Sequence, residues 1–113
     1  MSIIDFYLDK GYTPTWKTAS FDAVGTITVW TPRTSTRIVL TQLVVSTDVA
    51  TSVAFYFGNL AGTKITQVNV LASSFVSVPL LADSDIYDRT LVANTRATGT
   101  DGVKITVFGF EIP

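Results

Sequence analysis

The stretch 101–113, DGVKITVFGFEIP, decides how this chain is read. Val103, Ile105 and Val107 alternate with Lys104 and Thr106, the period of a strand with one buried face. At Phe108-Gly109 the pattern slips, and Phe110 and Ile112 carry the apolar series on the opposite parity. A one-residue slip beside a glycine is the mark of a β-bulge, which predicts that Phe110 and Ile112 stay turned into the core after Val107. The alternative reading puts Phe108 and Phe110 on an exposed face that meets a partner.

Working outward, the same style of sequence recurs. TRIVLTQLVV (36–45) is apolar on both parities, as in a central strand buried on both faces or one bulged near Thr41-Gln42. VGTITVW (24–30) alternates, and VATSVAFYF (49–57) places Val49, Val53, Phe55 and Phe57 on one core-facing side. KITQVNVLA and SFVSVPLL follow, with Pro79 marking an edge or a strand end. RTLVANTRA gives a further strand, between a DSDIYD loop (83–88) and a TGTDG turn (98–102). Another turn is expected in GNLAGTK, at Gly58, Asn59 and Gly62. Thr and Val together supply 32 of 113 residues and Glu only one, a composition that suits pleated sheet and not helix. Seven to eight strands with turn signals every 8–12 residues or about that predict an all-β antiparallel sandwich of jelly-roll type.

The first twenty residues differ in character. Ser2 as N-cap, Asp5 at the capping-box position and Gly11 as C-cap predict one or two helical turns, and Pro14 an extended segment after them. Ile3, Ile4, Phe6, Tyr7, Tyr12 and Trp16 concentrate apolar surface outside the strand pattern. The division expected is an N-terminal arm over 1–20 and a sandwich over 21–113. The arm either folds back on its own sandwich or lies on a neighbouring subunit or larger scaffold.

Size and composition bound the rest. At 113 residues the chain makes one domain, and 47% hydrophobic against 15% charged residues supports a core. With no Cys and no His, disulfides, thiolate sites and the commonest general base and metal ligand are absent. A net charge of −1 gives no basic field for a phosphate backbone, so no nucleic-acid partner is expected. No apolar run nears the ~20 residues of a membrane helix, and the N-terminus lacks the pattern of a secretory signal. The acidic cluster Asp83, Asp85, Asp88 lacks the glycine and glutamate of an EF-hand loop, where Asp88 and Asn94 stand instead. It reads as a solvated turn. No paired acids, phosphate loop or nucleophile constellation is present, so neither catalysis, a metal nor a cofactor is expected. Arg33 and Arg37 flank one strand, Arg89 and Arg96 another; such forks suit carboxylates across a subunit boundary. Trp16, Trp30, Tyr56 and Tyr87 are the residues from which a sugar-stacking platform would be built.

Arg37, Ile38, Leu40, Leu43, Val45 and Ser46, then Ala50, Thr51 and Val53, and finally Val107, Gly109, Phe110 and Glu111 form a pattern of strands and turns. In this the chain resembles small virion proteins of tailed phages, over Thr31 to Ile112 and not over the first twenty residues. The resemblance implies a jelly-roll head decoration (cement) protein. Such a protein is a homotrimer on the capsid exterior, partnered by the major capsid protein and made in the host cytoplasm. Its rival is a carbohydrate- or receptor-binding module of a tail or fibre.

Overall fold

A computed structural model describes residues 3–21, 25–58, 64–95 and 102–113. Ser2, Asn59, Gly62, Arg96 and residues 98–101, on which a cap, two turns and a subunit-boundary arginine were expected, lie outside these. Helix α1 (Ile3–Asp9) leads into eight strands: β1 (Thr15–Phe21), β2 (Gly25–Trp30), β3 (Arg37–Thr47), β4 (Thr51–Phe57), β5 (Lys64–Val70), β6 (Ser74–Asp83), β7 (Leu91–Thr95) and β8 (Val103–Ile112). They form two four-stranded antiparallel sheets, β1-β8-β3-β6 (sheet A) and β2-β7-β4-β5 (sheet B). First strand pairs with last, second with seventh, third with sixth, and fourth with fifth. That nesting is a long hairpin rolled into a sandwich, the jelly roll.

The inner faces interdigitate in one core that includes Phe21, Trp30, Leu40, Leu43, Phe55, Leu91 and Ile105. Its polar members are partnered, as burial demands: the Thr51 and Thr95 hydroxyls hydrogen-bond each other at 2.9 Å. Val49, expected on the core face of β4, instead sits in the turn before it, where its N–H donates to Thr47 Oγ1.

The slip in the last strand resolves differently from the expectation. β8 runs without a bulge, and the extra residue lies opposite it in β3, where the register passes from Leu40↔Gly109 to Gln42↔Phe108 and leaves Thr41 over. The bulge rephases β3, so Ile38 and Leu40 before it and Leu43 and Val45 after it all face the core. With no rephasing in β8, Phe110 and Ile112 point to the outer side of sheet A, away from Val107. There they join Val39 in a second buried cluster, roofed by Tyr7 and Tyr12.

The roof is held by the geometry of its own end. Gly11 adopts φ 86°, its N–H reaches the Leu8 carbonyl at 2.9 Å, and the Tyr12 N–H reaches the Tyr7 carbonyl at 3.1 Å. This is the Schellman arrangement, with the accompanying side-chain contact supplied by Tyr7 and Tyr12, whose rings lie 6.1 Å apart. The span expected as an arm therefore divides. Residues 3–14 cover sheet A, and Thr15–Phe21 is an edge strand of that sheet, paired with β8.

Candidate functional site

The outer face of sheet A carries most of the residues the sequence singled out. Tyr7 is the contact of α1 with the sheet, its ring 5.1 Å from that of Phe110. On the same seven-residue helix, Ile4, Phe6 and Leu8 are each more than 40% exposed. Trp16, 64% exposed, stands on β1 directly across from Phe108. Between helix and sheet, Ile4, Pro14, Trp16, Gln42, Phe108 and Phe110 line an apolar groove of about 180 Å³. Lys10 lies over the Phe6 ring at 4.9 Å, a cation–π contact at the rim. The exposed apolar surface continues on β6, the opposite edge of the same sheet, with Phe75 and Leu81. Ile3 lies in α1. Leu8, Phe75 and Leu81 were not singled out from sequence; alternation within SFVSVPLL was the signal for the last two.

Two of the arginines, Arg33 and Arg37, pair with carboxylates of their own chain. Glu111 Oε2 accepts the Arg33 backbone N–H at 2.7 Å and the buried Trp30 indole N–H at 3.4 Å, while Glu111 Oε1 accepts Arg33 Nε–H at 3.2 Å. The lone glutamate thus ties the loop after β2 to the end of β8. Because the Arg33 side chain is 76% exposed, the ion pair itself contributes little, and the backbone and indole bonds carry the effect. Glu111→Ala is expected to lower stability by about 1–3 kcal/mol, the cost of unpaired part-buried donors, and Arg33→Ala by less than about 0.5 kcal/mol. Thermal melts of both variants check the contrast.

Arg37 Nε lies 3.1 Å from Asp83 Oδ1. Burial works against its charge, but the Asp83 hydrogen bond and charge, helped by Tyr87, outweigh this and raise its pKa. Asp83 also accepts the Asp85 N–H at 2.8 Å, and Asp88 the Ser35 N–H at 2.7 Å. Asp85 and Asp88 adopt φ near +60°, a conformation that short polar side chains tolerate. These carboxylates shape a loop. Among the described residues no group of three or more Asp or Glu is arranged to hold a metal. Arg89 packs its side chain along Gly58, with Cδ 3.7 Å from where a β-carbon there would sit.

The aromatic platform considered from sequence is dispersed. Trp30, on β2 of sheet B, is buried in the core, Trp16 belongs to sheet A, Tyr87 lies beside Arg37, and Tyr56 is on the outer face of sheet B. The outer face of sheet B is polar. Ser52, Ala54, Tyr56, Lys64, Gln67 and Asn94 line a shallow hollow of about 240 Å³ there. No helix among the described residues is long and apolar enough to cross a membrane.

No family model and no curated protein matches this chain. Solved structures do. A chain of the virus-like particle of extra small virus from the giant freshwater prawn Macrobrachium rosenbergii is 11% identical, with 88% of this chain and 77% of that one covered and a TM-score of 0.45. A family 6 carbohydrate-binding module is 16% identical over 92% of this chain and 90% of its own, with a TM-score of 0.43. A chain of infectious bursal disease virus strain Gx is 15% identical over 89% of this chain but 29% of its own, with a TM-score of 0.39. These likenesses concern the fold alone.

Proposed function

We propose that this chain is a virion surface protein of a tailed phage: a decoration (cement) protein that seats on the outside of the assembled head and bridges capsomers as a homotrimer. The observation that carries the reading is α1. Apart from Asp5 and Asp9 the helix is apolar, yet it packs Tyr7 half-buried against Phe110 and leaves Ile4, Phe6 and Leu8 each more than 40% exposed, a concentration of apolar surface that suits a contact with another chain. In the reading proposed here, the major capsid protein covers that side, and Phe75 and Leu81 on β6 serve contacts between copies.

The mechanism is binding. A ligand of the assembled shell that ignores free subunits stabilises the shell by mass action, and bridging makes modest single contacts sufficient. No cofactor or catalytic group takes part. The test uses the whole chain and its phage. Light scattering gives a mass three times that of the chain, and the protein co-sediments with assembled heads but not with dissociated capsid subunits. Equal binding to free subunits, or none to heads, contradicts the role.

A further inference from the structure

We propose that the outer face of sheet B is a binding site for a neutral saccharide, independent of the docking surface on sheet A. The site is one cross-strand row on three neighbouring strands. Ala54 of β4 is paired with Asn94 of β7 on one side and with Gln67 of β5 on the other. Adjacent strands are about 4.8 Å apart, so the two amide-bearing backbones stand roughly 10 Å apart, with the small alanine as the floor between them. That width accepts one sugar ring. Ser52 and Tyr56, two residues either side of Ala54 on the same face, close the hollow at its ends.

Chemistry selects the ligand class. Amides both donate and accept, as sugar hydroxyls do, and the Tyr56 ring offers an apolar face to the ring C–H groups. Among the described lining residues no carboxylate is present to favour a cation, and the one charged group, Lys64, is held by Gln67 Oε1 at 2.6 Å; a lone ammonium is a weak anion site and also donates to sugar hydroxyls. The polar groups are also held in place before any ligand arrives. Gln67 Nε2 donates to Ser52 Oγ at 2.7 Å, and Asn94 Nδ2 donates to the Gly25 carbonyl at 3.1 Å and to Thr26 Oγ1 at 3.0 Å. Asn94 spends both amide hydrogens on these bonds and keeps Oδ1 as an acceptor, while Gln67 keeps one N–H and one lone pair for a ligand; fixing the amides beforehand lowers the ordering cost of binding. The hollow and α1 lie on the outer faces of opposite sheets, so a copy seated by its arm still presents this face.

The experiment titrates cellobiose, maltose, lactose and chitobiose into isotope-labelled full-length protein, alongside a glycan array. The expected result is amide shifts confined to the surroundings of Ser52, Ala54, Tyr56, Gln67 and Asn94 with at least one of these sugars. Gln67→Ala with Asn94→Ala, melting near the parent, binds at least about tenfold more weakly, as loss of hydrogen bonds to hydroxyls gives. An Ile4→Ser, Phe6→Ser, Leu8→Ser variant binds the sugar unchanged, which separates this site from the decoration role. Absence of shifts and of array signal overturns the site. So does selective binding of sulfated glycans that disappears with Lys64→Ala, or a double amide variant that binds as the parent does.

Discussion

Gly109→Ala is expected to destabilise the protein by about 2–4 kcal/mol, lowering the melting temperature by roughly 10 °C. The cause is the bulge on the neighbouring strand. Thr41 pushes the β3 backbone toward β8, so a β-carbon at position 109 would lie 2.2 Å from the Val39 carbonyl oxygen and 3.2 Å from Leu40 Cα. Neither neighbour is the end of a flexible side chain, and both belong to the central pair of sheet A. The glycine's φ is ordinary, so the substitution acts through space and not through backbone strain. A melt of Gly109→Ala matching the parent contradicts the close approach of β3 and β8 at this point.

Phe110→Ala has the second large effect, about 3 kcal/mol, and its signature is local. Phe110 is buried between Val39, Ile112 and the rings of the N-terminal segment. Removing it leaves Tyr7 without the surface it packs on and frees α1 from sheet A. Limited proteolysis is therefore expected to cut first within residues 3–14 of the variant, before any cleavage of the sandwich. Cleavage in the sandwich first, with the arm still protected, contradicts the packing described.

Both effects meet where the sequence was hardest to read. The parity change at Phe108-Gly109 is real, but its cause lies off the strand: the N-terminal segment roofs the outer face of sheet A, so Phe110 and Ile112 are buried there. TRIVLTQLVV carries apolar residues on both parities because of the bulge at Thr41. A single strand read alone assigns the irregularity to itself, because register is a property of a pair. The strand count and the jelly-roll class were legible from alternation and turn chemistry, which are local. The boundary of the arm was legible only in part: Ile3–Asp9 and Gly11 announce a capped helix, whereas YTPTWKTASF has too few apolar residues on one face to declare itself an edge strand. Tyr7 and Tyr12 were singled out as anchors for a partner, and the chain uses them to roof its own Phe110. The Asn94–Ala54–Gln67 row was invisible, since three strands distant in sequence must be aligned before two amides flank an alanine.

The account rests on the exposed side of α1 being a contact surface. It is tested most directly by co-sedimentation of the Ile4→Ser, Phe6→Ser, Leu8→Ser variant with assembled heads of the phage that encodes the chain. These side chains face water while Tyr7 keeps the helix on the sheet. The predicted result is a variant that melts near the parent and stays in the supernatant where the parent pellets. A folded variant that pellets with the heads as fully as the parent contradicts the account.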